Sequence, residues 1–172
     1  TILIIAYGQL WEMENATGQM TLIHETPLQQ LKSTVYPSDV LIDANNIMWI
    51  VYPGYGLVGI DGTTYEHKFF YNKENLLPTN SIFDMQQDTK GNIWLGSNSG
   101  LIKFSPQNNH IQTFDHEQGL VIGEFNSDTS LALLDGRMVY GTPKGLIFFD
   151  PLKINVNKNN DIKVAITDIS IA

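Results

Sequence analysis

Between Asp88 and Phe104 the chain alternates short apolar blocks with turn residues. Asp88, Lys90 and Gly91 mark a tight turn, and Asn92–Gly96 reads as a strand centred on Trp94. Ser97, Asn98 and Ser99 mark a second turn, and Gly100 opens another strand at Leu101–Phe104. A lone hairpin of this size is marginal in water. This one is written more than once. Asp43–Ile60 repeats it, with Asp43 for Asp88, Trp49 for Trp94 and Gly56-Leu57 for Gly100-Leu101. Asp135–Phe149 repeats it with Gly136, Gly141 and Gly145-Leu146, and Val139 takes the tryptophan's place. A weaker copy, Ile2–Met13, opens the chain. Leu10, Leu57, Leu101 and Leu146 then recur at steps of 47, 44 and 45 residues. That period suits four-stranded propeller blades.

The remaining apolar runs fill in the units. Strands are predicted at Thr1–Ala6, Leu10–Glu14 and Met20–His24, and then at Val35–Ile42, where Pro37 interrupts the run. Ile47–Tyr52, Leu57–Ile60 and Tyr65–Phe70 complete the second unit. Ser81–Asp88, Ile93–Gly96, Leu101–Phe104 and Ile111–Phe114 form the third, and Thr129–Leu134, Arg137–Gly141 and Leu146–Asp150 the last. Leu28–Thr34, Tyr71–Asn80 and Asp115–Asn126 are connectors. Asn155–Asp161 is an asparagine-rich linker, and Ile162–Ala172 alternates like one more strand. No segment sustains a helical period. The expected fold is all-β: a partial β-propeller of about three to four four-stranded antiparallel blades over 1–154, with 155–172 as linker and first strand of a following domain.

Composition narrows the function. The 172 residues are 42% hydrophobic and 16% charged, which fits a folded core. The formal net charge of −8 argues against a nucleic-acid backbone as partner. There is no cysteine, hence no disulfide, thiol nucleophile or thiolate metal site. No apolar run is long enough to span a bilayer, and Thr1 opens directly on a strand without a signal peptide, so the sequence reads as part of a longer chain. His24, His67, His110 and His116 lack metal-ligand spacing, and no carboxylate pair stands out as acid and base. No catalytic residue, metal or cofactor is expected.

Trp49 and Trp94 recur at one repeat position beside apolar residues. The pattern assigns them to packing between blades, with a sugar-stacking platform as the rival. Asp43 and Asp88, just before turns, should bond nearby backbone N–H groups. If the first strand of each unit lines the axis, the turns between second and third strands share one face with the long connectors. That face is the candidate ligand site: Tyr52, Tyr55, Asn98, Lys144, Glu124 and Asn126, a mixture suited to a neutral polar ligand such as an oligosaccharide.

The stretch DxxGNIWLGSNSGLIKF resembles the repeat of two-component regulator propellers, through Asp88, Gly91, Ile93, Trp94, Gly96, Ser97, Gly100 and Leu101. Gly123–Asn126 and the run ending Phe149-Asp150-Pro151 resemble the closing blade of such sensors. Lys163–Ile171 resembles the first strand of the immunoglobulin-like domain that follows them. Asn46 where glycine is usual, and Tyr52-Pro53-Gly54-Tyr55 for the usual Gly-[Ser/Thr] turn, depart from the pattern. The resemblance implies the periplasmic sensor region of an inner-membrane histidine kinase, with signal relay and no catalysis in this segment. A lyase-like propeller enzyme and a protein-interaction scaffold are the rival readings. A partial propeller also leaves its end blades without neighbours, so the expectation is either that missing N-terminal blades belong to the native chain or that two copies pair end to end about a two-fold axis as a homodimer.

Overall fold

The computed structural model describes residues 2–6, 9–24, 35–115 and 124–154. The predicted connector at Leu28–Thr34 and the linker and strand predicted within 155–172 lie outside them. Every described element is a β-strand. β1 (Ile2–Ala6), β2 (Gln9–Met13) and β3 (Met20–His24) form a first sheet, and β4 (Asp39–Ile42), β5 (Ile47–Tyr52), β6 (Gly56–Asp61) and β7 (His67–Tyr71) a second. β8 (Ile82–Gln87), β9 (Ile93–Ser97), β10 (Gly100–Ser105) and β11 (His110–Phe114) form the third. The fourth holds β12 (Ser130–Ala132), β13 (Met138–Thr142) and β14 (Gly145–Phe149). All neighbours are antiparallel and sequential, as in a propeller blade. The strand predicted across Val35–Ile42 begins only at Asp39, after Pro37, which has no N–H to give to a ladder. The chain divides into two compact units at Ile82/Phe83.

The first turn of the motif explains the repeat. Asp88 Oδ1 accepts from the amides of Lys90 and Asn92, each at 2.9 Å, while Oδ2 accepts from Asn92 Nδ2 at 2.8 Å and the Trp94 indole at 3.0 Å. Asp43 does the same for Asn45, Ile47 and the Trp49 indole, the last at 2.9 Å. One carboxylate thus closes the turn and ties the large residue of the next strand to it. Both indoles are buried, so the tie removes a polar N–H that burial would otherwise leave unpaired. The turn needs a left-handed residue three places on: Gly91 (φ 81) and Gly136 (φ 86) supply it, and Asn46 (φ 60) takes the same conformation, which asparagine tolerates. The departure at Asn46 therefore keeps the turn. In the fourth sheet Leu133 occupies the Asp88 position, donating its amide to Arg137 O as Asp88 does to Asn92 O. Carboxylate and indole are lost there together, to Leu133 and Val139.

The second turn explains the Gly-Leu signature. At Gly56 and Gly100 φ is 126° and 115°, and a Cβ would strike the carbonyl oxygens of Tyr71 and Phe114 on the outer strands. Gly145 has the same backbone (φ 133), but a Cβ there meets nothing within 4 Å. The fourth sheet has no outer strand among the described residues.

Each sheet has two faces, and the core is made where unlike faces meet. The leading face carries the tryptophan register and the trailing face is the other. In the first unit Leu3, Ile5, Leu10 and Ile23 of the leading face pack with Val40, Ile50, Val58 and Phe70 of the second sheet's trailing face. In the second unit Trp94, Leu101 and Phe114 pack with Met138, Tyr140, Ile147 and Phe149. Trp94 stacks on Phe114 at 5.5 Å and meets Phe149 at 5.1 Å, and Tyr140 donates its hydroxyl to Trp94 O at 2.7 Å.

Two outcomes test the clasp. Trp94→Ala should cost about 3–5 kcal/mol. Asp88→Leu and Trp94→Val should together cost less than the sum of the two, by about 1–3 kcal/mol in a double-mutant cycle by denaturant unfolding, because Asp88→Leu alone strands the buried indole N–H that Trp94→Val removes. The second outcome concerns acid. Burial pushes the Asp88 carboxyl up, but the bonds from Asn92, Trp94 and the amides of Asn92 and Lys90 outweigh it and hold it below the usual range. A depressed folded value stabilises above the unfolded aspartate value of about 3.9 and is lost as pH falls through the folded one. The stability gap between the wild type and Asp88→Asn should therefore be flat near neutrality and shrink below about pH 4, as read by chemical denaturation across pH.

Candidate functional site

Turns between second and third strands and the connectors meet at one end of the sheets within each unit. In the first unit Gly54 N donates to Asn80 O at 2.9 Å, joining the β5–β6 turn to the 72–81 connector. Asn72 organises that connector: its carbonyl takes the amides of Asn75, Leu76 and Leu77, and its side chain takes that of Glu74. Leu77 is buried beneath it, and Asn80 Oδ1 accepts from Lys73 N at 2.7 Å.

In the second unit the end of the long connector acts as a strap. Phe125 is buried, set edge-on to Tyr140 at 5.6 Å. Its Cβ and Cγ lie so close to Gly96 that a side chain there would press on them at 3.2 and 3.3 Å. Phe125 N donates to Ser97 O at the end of β9, and Asn126 N donates to Gly141 O in β13. Thr129 closes the strap: its hydroxyl donates to Asn126 O, and its amide to Asp84 Oδ2 at 2.8 Å. Asp84, buried on β8, also accepts from Ser130 Oγ at 2.5 Å, and Gln86 Nε2 donates to the same hydroxyl.

The sequence candidates divide on this frame. Asn98 and Lys144 are exposed on the two short turns, and Glu124 and Asn126 are exposed on either side of Phe125. The strap's bonds to Ser97 and Gly141 bring these four to one end of the second unit. The set offers one carboxylate, one ammonium and two amides, so it can both donate and accept without strong net charge. Tyr55, in the first unit, is half-buried against the core.

Tyr52 is corrected. It is not a turn residue but the last residue of β5, paired with Gly56, and its relative exposure is 1%. It stands where the other sheets place Ser97 and Thr142, whose buried hydroxyls donate to the carbonyls of Gly100 and Gly145 at 2.7 and 2.8 Å. Its side chain joins Met48, Ile50 and Ile60 in the core, and burial pushes its phenol well above the usual tyrosine range. It cannot reach a ligand. His116 lies outside the described residues.

A cleft of about 290 Å³ lies elsewhere, lined by Glu12, Glu14, Gln19 and Thr21. The Tyr65 hydroxyl donates to Glu12 Oε2 at 2.7 Å, and burial and then this carboxylate push the phenol up to about 12. None of the sequence candidates lines it. Among the described residues no group of three or more His, Cys, Asp and Glu could hold a metal ion.

Sequence reasoning missed the Asp84–Thr129–Ser130–Gln86 network and the anchoring role of Phe125. The available signals were a lone aromatic residue inside a polar connector and an aspartate in mid-strand.

Comparison with known proteins places these features. Residues 76–99, from the end of the first connector through the Asp88–Trp94 clasp to Ser99, match the model of the two component regulator propeller. Over 99 residues the chain is 32% identical to Histidine kinase P4 of Formosa agariphila, covering 58% of this chain and 7% of that protein. Among solved structures it is similar to the extracellular domain of the putative hybrid two component system BT4673 from B. thetaiotaomicron, with a TM-score of 0.72, 18% identity, and coverage of 92% of this chain and 23% of that one. The extracellular domain of the putative hybrid two component system BT3049 from the same organism gives a TM-score of 0.66 at 20% identity, over 86% of this chain and 19% of that one. The chain spans less than a quarter of the length of each of these relatives. The match to the two component regulator propeller thus falls on residues 76–99, and the fold of the described chain, four antiparallel sheets of three or four sequential strands, is that of propeller blades.

Proposed function

We propose that this chain is part of the extracytoplasmic sensing region of a histidine kinase or hybrid two component system, anchored in the inner membrane and facing the periplasm. In this reading it binds a polar, near-neutral ligand such as an oligosaccharide on the connector face and relays the bound state without catalysing a reaction. The observation that carries it is the strap: Phe125 fixes the backbone while Glu124 and Asn126 stay exposed, within a chain whose repeat is that of two component regulators. Polar groups held on rigid backbone bind at low ordering cost, which suits recognition of a hydroxyl-rich ligand. Similarity to a histidine kinase over more than half of the chain, and in fold to the extracellular domains of two putative hybrid two component systems, supports the same reading.

The test is titration calorimetry of the 172-residue chain against a panel of neutral and acidic oligosaccharides, with amide-shift mapping of any binder. A binder should shift the amides of Asn98, Glu124, Asn126 and Lys144. Asn126→Ala and Asn98→Ala should each weaken it about 5- to 10-fold, the worth of roughly one net hydrogen bond, with unfolding midpoints unchanged. Shifts confined to the Asp88–Gly91 turns would overturn the placement of the site. Turnover of the oligosaccharide would overturn the non-catalytic reading.

A further inference from the structure

The third and fourth sheets are joined in two ways. One is the apolar core around Trp94 and Tyr140, and the other is polar and lies on the first strands. Asp84, on β8 and 4% exposed, gives both oxygens to the entry of β12: Oδ2 accepts from Thr129 N at 2.8 Å and Oδ1 from Ser130 Oγ at 2.5 Å. Gln86, two residues further along β8, donates Nε2 to the same hydroxyl at 2.9 Å. Asp84 lies four residues before Asp88, and Thr129 four before Leu133, so the bond joins equivalent places in successive sheets.

Thr129 passes this hold on to the strap. Its carbonyl accepts from Gly141 N at 3.0 Å and its hydroxyl donates to Asn126 O at 3.0 Å, while Asn126 N donates to Gly141 O at 2.9 Å. A Cβ at Gly141 would lie 2.6 Å from both Cβ and Oγ1 of Thr129, so only glycine admits the approach. The turn from Asn126 to Thr129 is thus bonded at both ends, with Asp128 in the left-handed region at φ 55°. None of its four residues is buried, so hydrogen bonds rather than packing set its shape. It presents Asn126, one of the four candidate ligand residues at this end.

We propose that Asp84 is a positioning residue of the connector-end site: from the neighbouring sheet, and through Thr129, it fixes the Asn126–Thr129 turn and with it the direction of the Asn126 side chain. This rests on the ligand site proposed above. A buried carboxylate costs desolvation that a well-packed apolar residue would not, so what it contributes here is geometry more than stability. A turn fixed before the ligand arrives binds at lower ordering cost.

Amide hydrogen exchange on the 172-residue chain reads the hold without a ligand. Asp84→Ala should speed exchange at Thr129 and Asn126 about tenfold more than at Ile102, in the core of the third sheet. Asp84→Asn should exchange as the wild type does, because its carbonyl still accepts from Thr129 N and its amide donates to Ser130 Oγ. Calorimetric titration with the same neutral and acidic oligosaccharides reads the site. Asp84→Ala should weaken a binder about 5- to 10-fold, as Asn126→Ala does, and Asp84→Asn should restore it. The two alanine changes together should bind no more weakly than Asn126→Ala alone, whereas Asp84→Ala and Asn98→Ala should multiply, since a positioning residue acts only through what it positions. Thr129→Val keeps the amide, removes only the hydroxyl, and should behave as Asp84→Ala does; it replaces that variant if alanine at 84 disturbs the fold. Three results would overturn the proposal and leave the ligand site standing: a binder indifferent to Asp84→Ala and Thr129→Val, losses that multiply with Asn126→Ala, or exchange at Thr129 and Asn126 that rises no more than at Ile102. A wild type that binds none of the oligosaccharides would overturn the ligand site itself, and this proposal with it.

Discussion

The fold depends on a carboxylate that answers to two masters, a turn and an indole. Asp88 and Asp43 each accept the amides of their own turn and the N–H of a tryptophan six residues on. The link is local in sequence, so little chain entropy opposes it. Its consequence is not local, because the fixed indole is the surface on which the outer strand stacks, through Phe114 in the third sheet and Phe69 and Tyr71 in the second. A hairpin too small to persist alone thereby gains an aromatic layer with a defined side. The fourth sheet illustrates the rule by omission. Without the tryptophan no carboxylate is needed, and Leu133 and Val139 stand at the two positions.

Much of the fold was legible because its constraints are local. Aspartate, then a residue able to take positive φ, then an apolar strand, then Gly-Leu is nearly a complete description of the two hairpin turns, and each residue type has one backbone reason to be there. Asn46 was legible in principle for the same reason. Tyr52 was not. The end of its strand at Tyr52 could be read from Pro53 and Gly54, but the pattern sets its ring on the ligand face, and only the pairing with Gly56 and the core around it show that the phenol is carried inward. The Asp84 network was hidden too, since its partners Thr129 and Ser130 lie about 45 residues away and no spacing rule joins them. Of the candidate site, the exposed residues of the short turns could be named from the pattern. What gathers them, a strap pinned by Phe125, is a tertiary fact.

The clasped turns and the exposed polar side chains of the connector end are divided along the strands. The Asp–Trp clasps sit at the turns between first and second strands, while Asn98 and Lys144 sit at the opposite strand ends, on turns closed by the hydroxyls of Ser97 and Thr142, with Glu124 and Asn126 on the strap bonded to that end. The buried hydroxyls hold the backbone of those turns, so the exposed side chains are not needed for their shape. The side chains that clasp the turns and the exposed polar side chains at the other end are thus different residues.

The strap carries this separation to its limit, with consequences for how such a protein changes over generations. Phe125 is buried in the core beside Tyr140 and Gly96, and its backbone and that of Asn126 are taken by Ser97 and Gly141. The side chains on either side of it touch little that the fold requires. Positions 124 and 126 can therefore drift among charged, amide and hydroxyl residues with little penalty in stability, so change there need not pass through unfolded intermediates. A lineage of such chains would keep the phenylalanine and the glycine as a fixed pair and vary what flanks them, trying new chemistry on an unchanged mount.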